Sequence, residues 1–393
     1  MSAGGLIVLV LSLILSYDAY GISLTTTLCT LAGFCVLVYG VLYLATAPGT
    51  KPVGCVTEIV VYPLKSARGV SVQSHALDNR GLKYDRLWMV VDEDGAFLSQ
   101  RRAPKLATVT VELPTSDDDP LKVSAPHMRG SLVVPVVTSA DGASTVRCWE
   151  DRCGAIDQGD EAARWFAAAL GVDGARLVRM ADKTKRYCSN KYARSDALTA
   201  FSDGFPLLLA TEASLDELNF KMVARNKEPI PMNRFRPNLV LGMHEIHKTV
   251  SSPFEEDGWG SVMVFGKGIA NYMNFQVVKP CARCKMPTID QETGVPDGRR
   301  SSSATKGTAD DDDEGGGPAA MAEPTATLKT FRTGKILGYK KPGWSGDVFF
   351  GQNIVPDKML DGSIIAVGDP VIATPRRPRD WKWMSRGVSG VDF

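Results

Sequence analysis

The chain has 393 residues, of which 44% are hydrophobic and 23% charged; at ~100 to 200 residues per domain it can hold two globular units with cores of their own. That balance disfavours wholesale disorder and a multi-pass transporter. Forty-five Lys and Arg against 44 Asp and Glu leave no global basic field, so nucleic acid is not an expected partner. Eight cysteines are too sparse for a disulfide scaffold and point to a reducing compartment.

From residue 1 to residue 50 the only charged side chain is Asp18, which separates apolar runs at 5–17 and 22–47. At about 1.5 Å per residue the second run can cross ~30 Å of hydrocarbon and the first cannot, so residues 1–50 read as a membrane anchor with one span. No Lys or Arg precedes these runs, whereas Lys51, Lys65 and Arg68 follow them, which places the C-terminal part on the cytosolic side. Neither the basic start of a signal peptide nor an Arg-rich transit pattern is present.

Beyond Pro52 the apolar pattern is short and strand-like, at 55–62, 87–92, 107–113, 131–137, 238–242, 262–265 and 363–367, with Asp94-Gly95 as a hairpin signal. No GxGxxG follows a strand, so the fold class expected is mainly β with some α, built from barrels or sandwiches rather than a doubly wound sheet. One helix is predicted over 161–170, behind Asp160 as N-cap and ahead of Gly171. A second is predicted over 215–223, opened by a capping box of Ser214 and Glu217. A domain boundary falls between 171 and 185, separating two β-rich units. Residues 298–323 carry serine, aspartate and glycine runs with almost no large apolar residue and read as a disordered insertion. The tail 375–393 is basic around Trp381 and Trp383, which suits either a solvated end or contact with anionic lipid headgroups.

Cys281-Ala282-Arg283-Cys284 is open on spacing alone. Two structural cysteines fit it. A zinc site needs about four ligands, and neither Cys148 with Cys153 nor the four histidines offer a matching knuckle. A thioredoxin-type pair wants a helix N-terminus, against which Pro287 argues. Cationic and small polar residues recur beside strands: Lys65, Ser66 and Arg68, then Arg86, then Ser202 and Asp203, then Arg236 and Asn238. Lys and Arg offer charge-assisted bonds to a phosphate, and Ser, Asn and Asp can fix the polar edge of a ring.

A set of motifs in fixed order carries a resemblance. They are Tyr62-Pro63-Leu64-Lys65-Ser66, Tyr84-Asp85-Arg86-Leu87-Trp88, Phe97-Leu98-Ser99-Gln100-Arg101, Phe235-Arg236-Pro237-Asn238, Pro280-Cys281-Ala282-Arg283-Cys284 followed by Thr288, Asp290 and Thr293-Gly294, Phe350-Gly351-Gln352-Asn353, and Val367-Gly368-Asp369-Pro370-Val371. From about Val53 to Thr374 the chain resembles the MOSC-domain proteins of the membrane-anchored amidoxime reducing component type. The resemblance implies a MOSC N-terminal β-barrel domain over 53–175 and a β-barrel-like MOSC domain over 176–374. It implies the molybdenum cofactor, with Cys284 as the thiolate on molybdenum and Lys65, Ser66, Arg86, Ser202, Asp203, Arg236, Asn238 and Arg283 holding the pterin and its phosphate. Cys281 is then a neighbour rather than a ligand. It further implies reduction of N-hydroxylated compounds, and by the same oxygen abstraction of nitrite to nitric oxide. Electrons would come from cytochrome b5 and NADH-cytochrome b5 reductase at the mitochondrial outer membrane. Two features depart from the family: the 298–323 insertion, and Asn353, where animal members tend to carry an aromatic residue. Two other readings stand beside this one. In one, a MOSC sulfur carrier or cofactor sulfurase holds persulfide on Cys284; in the other, the chain is a non-catalytic membrane-tethered binding protein.

Overall fold

A computed structural model describes residues 49–138, 143–243, 249–267, 271–297, 322–357 and 360–376. The expected membrane anchor, nearly all of the 298–323 insertion and nearly all of the basic tail lie outside those residues. Among the described residues no helix is long and apolar enough to cross a membrane.

The structure is mainly β with few helices. One core gathers Leu64, Trp88, Leu106, Leu177 and Phe201. It is framed by a four-stranded antiparallel sheet in the order Trp88–Val91, Arg176–Met180, Asp151–Asp157, Ala143–Cys148, and by a three-stranded sheet of Thr110–Glu112, Leu121–Ser124 and Leu132–Val134. Gly95 N–H donates to Asp92 O, so Asp94-Gly95 does turn the chain between Val91 and Phe97. Helix α1 (Asp160–Leu170) closes this core with Phe166. Its cap differs from the predicted one: the N-cap is Gly159, and Asp160 is the first helical residue. The Asp160 carboxylate is taken by Arg176 at 2.8 Å instead of by a helix N–H. The helix ends at Gly171 in the left-handed region, as expected.

Seven further strands form a closed barrel: β1 (Lys51–Val61), β2 (Leu207–Thr211), β3 (Leu239–Gly242), β4 (Trp259–Phe265), β5 (Tyr272–Arg283), β6 (Val348–Pro356) and β7 (Pro370–Pro375). Their order is β3-β2-β6-β5-β4-β7-β1, and β1 pairs back onto β3. A short eighth strand, Val70–Val72, pairs along the end of β1. The barrel core collects Val56, Ile59, Leu209, Leu239, Phe275 and Ile354, so the first strand finds its partners some 180 residues further on. Strands β2 and β3 are parallel and are joined by helix α2 (Glu212–Val223), the crossover a parallel pair requires. Beside it, Phe235 and Phe350 stack with ring centroids 3.8 Å apart, over Leu218 of α2 and Leu328 of a short helix α3 (Thr325–Lys329).

Helix α2 starts earlier than predicted. Thr211 is its N-cap, accepting from Ser214 N–H at 3.2 Å. The Ser214 hydroxyl donates instead to Glu256 at 2.8 Å, a carboxylate with no solvent exposure. Burial, then the neighbouring Asp257, push Glu256 up to about 7 from its ordinary 4.5. The folded state therefore holds this proton where the unfolded chain has lost it. The resulting stability is complete below about pH 4.5 and is lost as pH rises through about 7. Denaturant titrations between pH 5 and 8 are expected to show wild type losing on the order of 3 kcal/mol relative to Glu256→Gln. Parallel pH profiles for the two proteins would show that Glu256 does not titrate.

Candidate functional site

The strand-flanking polar residues, Arg68 excepted, meet around one cleft that is open to solvent. Lys65, Ser66, Arg86, Ser202, Asp203, Arg236, Asn238, Arg283 and Cys284 all line it. Five segments deliver them: the turn after β1, the residues before Trp88, the loop before β2, the loop before β3, and the end of β5. Pairing of β5 with β6 carries two register shifts, between Val277 and Lys279 and between Pro280 and Ala282. Such bulges re-aim side chains beside functional sites. Gly351 makes the close approach possible: it has φ +76, and a Cβ there would lie 2.8 Å from Leu209 O.

The backbone is also unusual at the cleft. Among the described residues seven non-glycines have positive φ, and four of them, Ser66, Arg86, Trp149 and Arg236, line this wall. Each such residue costs on the order of 1–3 kcal/mol, and their clustering is a mark of a functional site.

The cations are pinned in different ways. Lys65 Nζ donates to Phe201 O at 2.8 Å and to Asp203 Oδ1 at 2.9 Å, which leaves the third of an ammonium's three donors. Trp149 Nε1 also reaches Asp203, at 3.1 Å. Arg86 and Arg236 sandwich the Tyr62 ring, with guanidinium carbons 4.2 and 4.3 Å from its centroid. Burial pushes Tyr62 up to about 12 and Arg236 down to about 10, so the phenol stays neutral and the guanidinium charged at pH 7. Arg236 Nη1 donates to Gln291 Oε1 at 3.1 Å, and Gln291 pairs with Gln100, which in turn holds Ser66 O.

Asn238 acts as a scaffold. Its Nδ2 donates to Val60 O and Asp85 Oδ1, both at 3.0 Å, and its Oδ1 accepts from Arg86 Nη1 at 2.9 Å. Asp85 is the hub that the sequence-based set lacks: it also accepts from Tyr62 N–H at 2.8 Å and from Arg86 Nη1 at 2.6 Å. Burial raises its pKa even against the Arg86 charge. Arg186, also absent from that set, clamps the Ala200–Asp203 loop through Ala200 O, Ser202 O and Asp203 O. Asp85 sits inside a quoted motif, so adjacency could have found it. Arg186 had no signal beyond being a cation in a polar stretch.

Of the two motif cysteines, Cys284 is exposed and Cys281 half-buried. Cys284 Sγ accepts from Met286 N–H at 3.5 Å, and Cys281 Sγ from Arg283 Nη1 at 3.0 Å. Arg283 Nη2 donates to Phe235 O at 2.8 Å, tying the thiol loop to the stacked phenylalanines. Among the described residues no group of three or more His, Cys, Asp or Glu is placed to hold a metal ion. Two polar atoms of the wall, Ser202 Oγ and Arg283 Nε, are buried without a hydrogen-bond partner. Each such atom costs about 1–3 kcal/mol, relieved by a polar ligand. The donor set, the orphaned atoms and the exposed soft sulfur fit a metal carried in a polar, anionic organic ligand.

Comparison with known proteins agrees with this chemistry. Residues 53–173 match the MOSC N-terminal beta barrel domain and residues 196–372 the MOSC domain. The chain is 34% identical over 264 residues to mitochondrial amidoxime reducing component 2 of Bos taurus, covering 65% of this chain and 72% of that protein. It is 31% identical over 335 residues to the Rattus norvegicus protein of the same name, covering 82% and 83%. It is also 30% identical over 243 residues to a molybdenum cofactor sulfurase of Drosophila grimshawi, covering 60% of this chain and 28% of that one.

Proposed function

Because the chain belongs to the MOSC-domain family, with the N-terminal β-barrel domain as well as the MOSC domain, we propose that it is a molybdenum-cofactor-dependent reductase of N-hydroxylated compounds such as amidoximes and hydroxylamines. The observation that carries this reading is the meeting of an exposed thiol with Lys65, Arg86, Arg236 and Arg283 around one cleft. When bound, the cofactor supplies two-electron oxygen-atom chemistry, which removal of oxygen from an N–OH group requires. Cys284 would contribute the sulfur ligand, with the Met286 N–H 3.5 Å from its Sγ. Arg86 and Arg236, both held over the Tyr62 ring, would present guanidinium forks to a phosphate, and Lys65 would add its remaining N–H. Ser202 and Asp203, on the loop clamped by Arg186, would hold the polar edge of the pterin, and Arg283 would offer its unpartnered Nε to it. Asn238 and Asp85 position these groups.

Electrons are proposed to come from separate proteins. Cytochrome b5 and NADH-cytochrome b5 reductase are the proposed donors, and co-anchoring at the mitochondrial outer membrane, catalytic part toward the cytosol, would raise their effective concentration. Nitrite reduction to nitric oxide is proposed as a second reaction of the same cleft.

Full-length protein from a host with intact cofactor synthesis is expected to carry molybdenum and to reduce benzamidoxime to benzamidine with NADH and those two donors. Protein from a host lacking the cofactor should be inactive. Likeness to a cofactor sulfurase keeps one other reading in view: a persulfide on Cys284, no molybdenum and no turnover would replace the reductase with a sulfur carrier.

A further inference from the structure

Two residues that line the cleft have no part in the cofactor-holding set: Trp149 and Arg101. Trp149 stands at the tip of the hairpin between Ala143–Cys148 and Asp151–Asp157, where Cys148 pairs with Asp151. Its φ is +57. Tight hairpin turns put glycine, asparagine or aspartate in such a position, because a bulky L side chain is strained there. The indole is held in place by its contacts instead. Its ring packs on Phe97 with centroids 5.1 Å apart, and Nε1 donates at 3.1 Å to Asp203, the carboxylate that also takes Lys65.

Arg101 uses this ring as a platform: its guanidinium carbon is 4.8 Å from the Trp149 centroid, and Lys65 Nζ is 5.9 Å from the same centroid. It directly follows Gln100, whose amide donates to Ser66 O at 2.8 Å, so its backbone is tied to the cofactor wall. The next residue, Arg102, pairs with Asp92 at 2.8 Å. Arg101 is exposed and, among the described residues, makes no hydrogen bond or ion pair. A guanidinium lying on an indole keeps its N–H edge free, and that edge matches the two oxygens of a carboxylate or phosphate. A merely solvated arginine would need no platform; a strained tryptophan gives this one a fixed place at the open cleft.

Resting on the reductase reading, we propose that Arg101, fixed on the Trp149 indole, is an anion subsite of the cleft, taking the oxygens of a phosphate or a carboxylate. Two sources carry that chemistry: the cofactor's own phosphate, and an anionic substituent of an N-hydroxylated substrate. With the first, Arg101 retains the cofactor. With the second, it selects anionic substrates over neutral ones of the same shape.

The test uses full-length protein purified with its cofactor, as wild type, Arg101→Gln, Arg101→Lys and Trp149→Asn, the last suited to the left-handed turn. Because Arg101 is exposed and unbonded, Arg101→Gln should melt within about 2 °C of wild type. Two quantities are read on each protein. One is the half-time of molybdenum loss during dialysis. The other is the ratio of Kd for 4-carboxybenzamidoxime to Kd for benzamidoxime, from calorimetric titration into oxidised protein without electron donors. If the anion is the cofactor's phosphate, Arg101→Gln shortens the half-time about tenfold. If it belongs to the substrate, the half-time holds and the Kd ratio rises about tenfold, a difference that shrinks with added salt. Trp149→Asn is expected to move the same quantity, and Arg101→Lys to restore it only in part, since an ammonium keeps the charge without the fork. A half-time and a Kd ratio both unchanged in Arg101→Gln would overturn the subsite. Either change in Arg101→Gln, with neither compound reduced by wild type, would uphold the subsite and overturn the reductase.

Discussion

Cys284→Ala is expected to leave the purified protein without molybdenum and to lower amidoxime turnover about a thousandfold or more, to the level of a blank. The side chain is exposed, and among the described residues its one hydrogen bond is the 3.5 Å approach of Met286 N–H, so the melting temperature of the cofactor-free protein should barely move; surface substitutions of this kind stay within about 0.5 kcal/mol. Cys281→Ala is the internal control. Cys281 accepts from Arg283 Nη1 at 3.0 Å, so its loss frees a positioning contact and should cost about tenfold or less with molybdenum retained. Metal analysis and turnover on the two variants separate ligand from neighbour. Equal molybdenum and equal rates in wild type and Cys284→Ala would remove Cys284 from this role.

The second large effect concerns a group that touches neither substrate nor metal in this account. Asp85 is buried, at 3% exposure, and three donors converge on it from Tyr62, Arg86 and Asn238. Asp85→Ala leaves the Arg86 charge and an Asn238 N–H without their acceptor. Breaking a buried charged pair from one side costs about 3–5 kcal/mol, which corresponds to a fall in melting temperature of roughly 10 °C in a domain of this size. Because Arg86 is also one of the two guanidiniums stacked on Tyr62, molybdenum content should fall in step with stability. Asp85→Asn keeps an oxygen acceptor and should lose less of both. A wild-type melting curve and full molybdenum in Asp85→Ala would show that the hub is dispensable.

What the sequence made legible follows from the range of each signal. Short apolar runs such as 55–62 and 238–242 were visible because their apolar side chains are adjacent in the chain, and they became β1 and β3. Strand β5 was passed over: Met273 to Val277 do alternate apolar and polar, but Lys279 and Pro280 break the pattern, and its pairing with β6 and its bulges supply what local propensity does not. The predicted strand over 107–113 is divided in the structure: its first residues close a 3-10 turn, Pro104–Thr108, and only Thr110–Glu112 pair. Both helices were found but their first residues were not, since each cap was decided by a distant partner, Arg176 for Asp160 and Glu256 for Ser214.

At the cleft, the residues chosen for charge and polarity beside strands come to one wall together with Cys284 and Arg283, with the exception of Arg68, which pairs with Glu292. Their supports did not announce themselves. Tyr62 reads as a core aromatic until Arg86 and Arg236 stack on it, and Gln291 as a surface amide until Arg236 and Gln100 reach it. Such roles arise from contacts between segments far apart in the chain, a relation that no single stretch of sequence contains.

The most direct measurement is anomalous diffraction at the molybdenum edge from crystals of the protein purified with its cofactor. The account predicts a strong peak at bonding distance from Cys284 Sγ, with the organic ligand running toward Arg86 and Arg236. A peak bonded to another residue, or active crystals with no peak at the cleft, would contradict it.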